Sequence, residues 1–466
     1  MKKVFLWLLV VSLVAVFSLV GCNKEAPAEE VAATTAAAET TATATTVAEE
    51  IPTKEFTLRI ISHFGESETL EKVMDTLDGE FESAHPGLTI QRDYMEFREW
   101  AAISQLRLTS ENPPDLFDAN LGESGMGLMI RAGLLLNLTP YAEKFGWFDK
   151  INQRALNVMS YTADGKQFGE GNVYGMAPTV DYIGVFYNKQ KFSEAGVEVP
   201  KTYEEFISLI EKFKEKGETP LILGGIEGWP TNQIYVEILY SLLDREDQQW
   251  GDDWVFARNN VSYIRPETVQ AAAEFVKWVE KGYFIDGFEG ISYSDSQALF
   301  AGGEGAMYIG GSWITSSIKD YTDVNKFGFF TVPPREGKDW KMTTACLSMP
   351  LAIHVKTLYP KVAAEYLDWF ISPRAAELWQ EVGNAPTLPD LSKVKEGTMS
   401  FDILNEWNKT MKNGEIGNYQ DMASPTMFDT QSAAIQELLA KKITPEEYVQ
   451  KIDEDYQAFL AGRQQK

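Results

Sequence analysis

Cysteine and histidine are scarce in this sequence, whose 466 residues contain two cysteines and three histidines. If Cys22 is used at a membrane, Cys346 has no partner for an internal disulfide, which excludes a disulfide scaffold and every cysteine-based zinc site. His63, His85 and His354 lie far apart in the sequence, and none of them begins an H-E-x-x-H motif. We therefore expect no metal site.

Basic residues are also in deficit. The 42 Lys and Arg residues stand against 68 Asp and Glu residues, so the formal net charge is −26. Binding to nucleic acid depends on Lys and Arg side chains that neutralise phosphates, and a chain this acidic is repelled by phosphate backbones. The same deficit argues against a basic patch that lies on anionic lipid. We expect no nucleic-acid partner.

Motifs of the common enzyme classes are missing as well. The sequence has no G-x-x-x-x-G-K-[ST] phosphate-binding loop and no calcium loop of the D-x-[DN]-x-[DN]-G type. The glycine-rich segment 302–305 does not fit G-x-G-x-x-G, and Ser124 lies in a segment one residue short of a nucleophile elbow. Carboxylates are plentiful, so the composition does not exclude a glycosidase. Such an enzyme would need two catalytic carboxylates about 5–10 Å apart. We assign no catalytic residue and no cofactor.

The N-terminal residues are typical of a secretory signal. Lys2 and Lys3 precede an uncharged, mostly apolar run of 17 residues, Val4 to Val20. A membrane-spanning helix needs about 20 apolar residues with flanks to match. The run ends in Leu-Val-Gly-Cys, which matches the bacterial lipobox, in which the signal is cleaved and the cysteine is lipidated. We expect residues 1–21 to be a signal peptide and Cys22 to carry acyl chains that anchor the protein to the bacterial cell membrane.

An Ala/Thr-rich segment follows. Residues 26–50 contain 10 Ala and 7 Thr and no aromatic residue. Such a segment cannot bury enough apolar surface to offset its ordering entropy, so we expect residues 22–55 to form a disordered tether.

The alternative at Cys22 is a plain signal peptide with a chance cysteine. The folded part would lie near a membrane surface outside the cytoplasm, a location that disfavours ATP- or NAD-dependent chemistry.

From Glu55 onward, strand and helix patterns alternate. Capping boxes at Thr202 and Thr444, and prolines at Pro266 and Pro373, predict the starts of four helices. Short strands and helices in alternation argue for an α/β fold with mostly parallel sheets. About 410 residues are too many for one such core, so we expect two lobes. Strands are predicted at 56–61, 88–90, 115–118, 183–187, 221–223, 306–309 and 327–332.

Aromatic residues are abundant, with 12 Trp, 19 Tyr and 26 Phe. Most of them must lie in the core, but Trp229 and Trp313 lie in glycine-containing segments directly after predicted strands, where open α/β sheets bind ligands. Sugar rings pack their C–H faces on aromatic planes, whereas their hydroxyls need carboxylates and amides. Each such carboxylate could instead be a solvated loop acid or a helix cap. Candidates for the polar groups, at loop or strand-end positions, are Asp118, Asn120, Asp181 and Asn384.

Seven motifs, in order over some 400 residues, resemble those of one known family. They are F-E-S-A-H-P-G-L-T-I at 81–90, N-P-P-D-L-F at 112–117 (with Asn112 where the family usually has Gly), A-G-L-L-L-N-L at 132–138, V-Y-G-M-A-P at 173–178 with Y-N-K at 187–189, F-S-E-A-G at 192–196, P-K-T-Y-E-E-F at 200–206, and the segment 300–313 with its G-S-W. From about Phe56 to Leu460, the sequence is similar to the extracellular solute-binding lipoproteins of ABC importers, in the branch that carries sugars.

The resemblance implies an α/β, two-lobed periplasmic-binding-protein type II fold with a ligand cleft between the lobes. Hinge closure would bury the ligand in that cleft. The chain would cross between the lobes three times, by analogy near 178–181, 332–334 and 372–374. Lobe 1 would then comprise 56–179 and 333–372, and lobe 2 would comprise 180–332 and 373–466.

The resemblance also implies a role in import. The protein would capture a mono- or oligosaccharide and deliver it to the transmembrane permease subunits of an ABC importer without altering it, so we expect no enzymatic activity. We expect a lipid-anchored, extracytoplasmic monomer. Two alternatives stay open. The same fold could bind a peptide, polyamine or phosphodiester, and the least favoured alternative is a surface glycan hydrolase.

The family's pattern points to one site residue by motif and to others by position. Trp313, in the Gly-Ser-Trp motif, is the first candidate for a platform on which a sugar ring stacks. The remaining candidates for ligand binding rest on their positions in loops that line the cleft in relatives. They are Asp181, Tyr182, Trp229, Asp118, Asn120, His63, Glu66 and Asn384.

Overall fold

The computed structural model describes residues 54–464 of the chain. The expected signal peptide, the lipidation site Cys22 and nearly all of the expected tether lie outside the described residues. The described residues belong to one compact unit. Within 54–464, no helix is long and apolar enough to cross a membrane. Within this range the structure does not describe four side chains, those of Glu66, Arg98, Ala101 and Gln464.

Twelve strands lie within the described residues, and all seven strands predicted from the sequence are among them, with ends that differ by a few residues. The strands are β1 (Phe56–Ser62), β2 (Leu88–Tyr94), β3 (Leu116–Asp118), β4 (Ser160–Tyr161), β5 (Asn172–Val173), β6 (Val180–Asn188), β7 (Leu221–Ile222), β8 (Met307–Gly311), β9 (Phe327–Phe330), β10 (Thr343–Leu347), β11 (Leu351–Ile353) and β12 (Ile416–Gly417).

Eighteen α-helices lie in the same part of the chain, and the four helix starts predicted from caps and prolines are confirmed in α8, α11, α15 and α18, as bounded here. The helices are α1 (Glu68–Ala84), α2 (Phe97–Leu108), α3 (Leu128–Arg131), α4 (Thr139–Phe145), α5 (Trp147–Lys150), α6 (Gln153–Asn157), α7 (Lys189–Ala195), α8 (Tyr203–Glu215), α9 (Trp229–Leu242), α10 (Gln248–Val255), α11 (Pro266–Glu280), α12 (Tyr293–Ala301), α13 (Ile314–Tyr321), α14 (Pro360–Phe370), α15 (Pro373–Glu381), α16 (Met399–Asn413), α17 (Met427–Leu439) and α18 (Pro445–Gln464).

The first sheet has the strand order β11-β3-β1-β2. Strand β1 runs parallel to β2 and β3, and β11 joins β3 in the antiparallel sense. The register pairs Ile61 with Phe117, so the residues that follow β1 lie beside the end of β3. Helix α1 packs on β2, and its buried apolar residues recur with the helical period. This arrangement brings His63 next to Asp118.

The second sheet has the order β12-β10-β6-β8-β7, with β9 also paired to β6. Strand β6 runs antiparallel to β8, β9 and β10, whereas the β7–β8 and β10–β12 pairs are parallel. The expectation of mostly parallel sheets therefore holds for β1, β2 and β3 but not at β6. Strand β6 is the first strand of this sheet along the chain. It begins beside the ends of β8 and β10, with Val180 opposite Leu347, and therefore runs against both.

The two sheets are connected by three segments that lie side by side. Thr179 precedes β6, Ser348 lies between β10 and β11, and Thr387 follows α15. The Ser348 amide donates to the Thr179 carbonyl at 3.0 Å, and the two hydroxyls are also 3.0 Å apart. The Thr387 amide donates to the carbonyl of Pro178 at 2.9 Å. The three connections thus form one hydrogen-bonded bundle.

The contacts of two segments bear on the lobe boundaries expected from the sequence. Strand β10, in the range 333–372 expected in lobe 1, pairs with β6. Helix α15, expected in lobe 2, contacts α1, and Arg374 donates to Glu80 there at 2.8 Å. Hydrogen bonding therefore groups β10 with the second sheet and α15 with the first.

Candidate functional site

A cavity lies between the two sheets, beside the connecting segments. It encloses about 1240 Å³, counting the solvent at its mouth. The carboxyl ends of β1, β3, β7 and β8 lead into loops and helix starts that line it, which is where α/β sheets generally place ligand sites. The first sheet contributes His63, Phe64, Phe97 and Asn120; the second contributes Asp181, Trp229, Tyr293 and Trp313; Thr179 and Ser348 come from the connections.

Six of the nine ligand-binding residues proposed from the sequence line this cavity. Two of them lie at helix starts rather than in loops, because Trp229 begins α9 and Trp313 directly precedes α13. The chain separates these residues by as many as 321 positions, so only the fold brings them together. The six are His63, Asn120, Asp181, Trp229, Trp313 and Asn384.

Two of the other three candidates lie elsewhere. Tyr182 is fully buried on the opposite face of β6, where its hydroxyl bonds with Thr410 and its ring meets Trp407 edge-on. Successive side chains of a strand point to opposite faces, so Asp181 and Tyr182 could not both face the cavity. Asp118 lies beneath the lining and does not itself line the cavity. The side chain of Glu66 is outside the described residues.

Aromatic rings form one wall of the cavity. The ring centroids of Trp229 and Tyr293 are 4.5 Å apart, and those of Trp229 and Trp313 are 6.5 Å apart. Phe97, from the first sheet's side, meets Trp229 edge-on at 6.4 Å. The hydroxyl of Tyr419, which also lines the cavity, is buried with no partner among the described residues. Such a wall offers ring faces to C–H groups and a hydroxyl to a polar ligand.

Gly311 determines where the indole of Trp313 lies. A Cβ placed on Gly311 would lie 1.9 Å from Cζ3 of Trp313, far inside van der Waals contact. The indole therefore packs over the bare backbone at the end of β8. This explains physically why the sequence has a glycine at position 311.

Asp118 holds His63 in place. One oxygen of its buried carboxylate accepts from the His63 amide at 2.7 Å and lies 2.8 Å from the ring Nδ1. The Ser62 hydroxyl donates to the same oxygen at 3.1 Å. The Phe64 ring lies 4.2 Å from the His63 ring, centroid to centroid. The Asp118 position proposed from the sequence thus belongs to the site through His63 and not through the cavity surface.

Two carboxylates face the cavity from the second sheet's side. Burial raises the pKa of Asp181 to about 7, against a smaller opposing effect of His63. Burial also raises the pKa of Asp421 to about 6. Cys346, directly opposite Asp181 on β10, is buried, and burial raises the pKa of its thiol, with a further contribution from both carboxylates. These carboxylates can accept hydrogen bonds from hydroxyl groups of a bound molecule.

Sequence reasoning missed several lining residues. Tyr293, Tyr419 and Asp421 follow no strand that the sequence predicted. Phe97 comes after the predicted strand β2 but begins a helix that no cap or proline indicated. Tyr293 had one usable signal, because Ser292 caps the helix that it begins. Among the described residues, no group of three or more His, Cys, Asp or Glu side chains is placed to hold a metal ion.

The sequence profile described as "Bacterial extracellular solute-binding protein" matches residues 64–377, two thirds of the chain. The chain belongs to this family. The match spans most of both sheets and includes the cavity residues from Phe64 to Trp313. The two-lobed α/β fold expected from the sequence is thereby confirmed.

Members of the solute-binding protein family that resemble this chain differ in what their names say they bind. The multiple sugar-binding protein of Streptococcus mutans is 23% identical over 334 residues, which is 70% of this chain and 74% of that protein. The diacetylchitobiose-binding protein NgcE of Streptomyces coelicolor is 24% identical over 65% of this chain and 64% of its own length.

Solved structures of this family share the fold. A chitin oligosaccharide binding protein superposes with a TM-score of 0.74 at 22% identity and covers 88% of this chain and 100% of its own. The solute-binding protein RafE in complex with raffinose gives a TM-score of 0.67 at 18% identity and covers 87% of this chain and 100% of its own. At this level of identity the likeness concerns the fold alone.

Proposed function

We propose that this protein is the extracytoplasmic substrate-binding component of an ABC importer that captures a mono- or oligosaccharide in the cavity between its sheets. The observation that carries the proposal is the pairing of an aromatic wall, Trp229, Tyr293 and Trp313, with hydrogen-bonding groups in one cavity. A pyranose ring needs both, because its C–H face is apolar and its hydroxyls are not.

Relatives support the choice of a saccharide. The names of the similar proteins from Streptococcus mutans and Streptomyces coelicolor refer to multiple sugars and to diacetylchitobiose. The ligand is held without chemical change and passed on to transmembrane permease subunits. The hydrogen-bonded connections at Thr179 and Ser348 give the sheets a hinge about which the cavity closes over the ligand and reopens.

The proposed cellular setting rests on the N-terminal sequence. Cleavage before Cys22 and lipidation of this cysteine would anchor the protein to the bacterial cell membrane, with the monomeric binding domain outside the cytoplasm. The test is fractionation of cells that express the natural chain and the Cys22→Ser variant. We expect the natural chain in the membrane fraction and the variant in the soluble fraction. Equal membrane association of both would reject the anchor.

The binding proposal is tested by thermal unfolding and calorimetry against a panel of mono- and oligosaccharides. The protein is kept in a zwitterionic detergent, since many detergents carry a sugar headgroup. A ligand at about 100 times its Kd should add roughly 2.7 kcal/mol to the free energy of unfolding. We expect a rise of the melting temperature for one class of sugar, and no binding by Trp313→Ala. The matched control, Trp250→Ala, removes a half-buried tryptophan outside the cavity.

Peptides and polyamines enter the same panel. A folded protein that responds to one of these and to no saccharide would replace the sugar by that solute. Unchanged sugar binding by Trp313→Ala would move the stacking role away from the aromatic wall.

A further inference from the structure

The charges that line the cavity are of one sign. Among the described lining residues, the acidic side chains are Asp181 and Asp421, and no lysine or arginine is present. His63 is the one titratable base of the described lining. Its Nδ1 lies 2.8 Å from the buried carboxylate of Asp118, so any positive charge on the ring is already balanced by that carboxylate. The cavity therefore presents uncompensated negative charge to a ligand.

Neither cavity carboxylate forms an ion pair with a described side chain. Among the described residues, no side chain donates a hydrogen bond to Asp181 or Asp421, and the interaction of Asp181 with His63 is weaker than the effect of its burial. Both are partly withdrawn from water, since burial is what raises their pKa values. A carboxylate in such a place interacts strongly with any charge that enters, because the local dielectric constant is low.

Three other carboxylates of low exposure do have a charged partner. Each of the following is paired with an arginine that neutralises it, as is usual for buried charges. The pairs are Asp78 with Arg92 at 2.8 Å, Glu123 with Arg131 at 2.6 Å, and Asp252 with Arg154 at 2.7 Å. Asp181 and Asp421 lack such a partner among the described residues, so a ligand in the cavity can supply the hydrogen-bond donor or the positive charge.

We propose that the cavity selects saccharides by charge: it admits neutral and amino sugars and rejects acidic ones such as uronates and sugar phosphates. This inference rests on the proposed sugar-binding function. Neutral sugars donate hydroxyl hydrogen bonds to Asp181 and Asp421, and a protonated amino group supplies the missing countercharge. A uronate or phosphate instead brings a further negative charge into a site without a described cation to receive it.

The experiment compares the affinities for a neutral saccharide and for its acidic counterpart of similar size. The full chain, in zwitterionic detergent at pH 7.5, is titrated with the tightest neutral saccharide of the panel and with its counterpart oxidised at the primary hydroxyl to a carboxylate. Cellobiouronate and digalacturonate are included as acidic probes. We expect the oxidised counterpart to bind at least about tenfold more weakly than the neutral parent, a difference of about 1.4 kcal/mol.

Variants test whether the cavity carboxylates cause the discrimination. Asp421→Asn keeps the shape and removes one charge, and we expect it to reduce the ratio of neutral to acidic affinity at least about threefold. Asp286→Asn removes the same charge from an exposed position outside the cavity and should leave the ratio unchanged. Because the ratio is measured within each variant, a change in folding alone does not move it.

The outcomes separate this inference from the proposed function. Acidic probes that bind as tightly as neutral ones, or the same ratio in Asp421→Asn as in the natural chain, would overturn charge selection and leave sugar binding intact. Binding of no saccharide of any charge would overturn the proposed function and, with it, the inference.

Discussion

The indole nitrogen of Trp313 donates a hydrogen bond to the phenolic oxygen of Tyr293 at 2.5 Å. Tyr293 begins α12 and Trp313 precedes α13, so the bond ties the starts of two helices at the cavity. A bond at the edge of the indole leaves its face open for a ligand. Its orientation is set before a ligand arrives, which reduces the entropy lost on binding.

The first prediction concerns this bond. Tyr293→Phe keeps the ring against Trp229 but removes the oxygen that accepts from Trp313. We expect the affinity for the bound saccharide to fall roughly 3–10-fold, about 1 kcal/mol for one neutral hydrogen bond, as measured by calorimetry. Tyr321→Phe, at an exposed tyrosine, is the matched control. Equal affinity in Tyr293→Phe and the natural chain would show that packing alone orients the indole.

A second prediction concerns the glycine beneath the indole. The added methyl of Gly311→Ala would meet Trp313 at 1.9 Å, so the indole must leave its position over β8. We expect at least about tenfold weaker saccharide binding and a changed tryptophan fluorescence spectrum. Gly290→Ala is the matched control, since nothing lies within 4 Å of a Cβ there. Unaltered affinity in Gly311→Ala would contradict the assigned role of the indole.

The third prediction is a pH dependence of stability. The folded protein holds the pKa of Asp181 at about 7, above its ordinary value of 3.8. The folded state therefore binds this proton more tightly than the unfolded state, and the free energy of unfolding falls as pH rises from about 4 to 7. We expect Asp181→Asn to remove roughly 1–2 kcal/mol of the change between pH 5 and 7.

Urea unfolding of the ligand-free protein at several pH values measures this difference. Asp421 and Glu237, whose pKa values burial raises to about 6 and about 7, act in the same direction, so some slope persists in Asp181→Asn. An identical pH profile for the natural chain and Asp181→Asn would mean that Asp181 is ordinarily solvated. Asp286→Asn again provides the control for a lost charge.

The fourth prediction separates the two faces of β6. Tyr182→Phe removes a buried hydroxyl that bonds with Thr410 but touches no part of the cavity lining. We expect the free energy of unfolding to fall by about 1 kcal/mol, or more if the Thr410 hydroxyl finds no other partner. Saccharide affinity should stay within about twofold. A large loss of affinity with unchanged stability would place Tyr182 at the ligand after all.

Local sequence patterns predicted most of the elements that form the sheets. At Thr444 the expected capping box is complete, since the Glu447 amide donates to the threonine hydroxyl at 3.2 Å and the Thr444 amide donates to the Glu447 carboxylate at 2.7 Å. At Thr202 the hydroxyl accepts as expected, but the Glu205 carboxylate accepts from Lys201 instead. Such contacts span only a few residues, which is why the sequence reveals them.

Strand β10 is an element that local sequence patterns did not predict. Its five residues are all buried, so its sequence lacks the alternation that marks a half-exposed strand. Its partners, β6 and β12, lie more than 65 residues away along the chain. The second connection between the sheets follows this strand, which no local pattern predicted.

The sequence by itself determined seven of the strands, four helix starts, the family and the tryptophans that reach the cavity, because periodicity, caps and motifs act over short distances. Only the tertiary structure decided that Asp181 and not Tyr182 faces the cavity, that Asp118 acts through His63, and that Asp421 lies in the same cavity as Asp181. These relations depend on which strand face is covered and on contacts between distant segments. Burial and charge neighbourhoods exist only after the chain has folded.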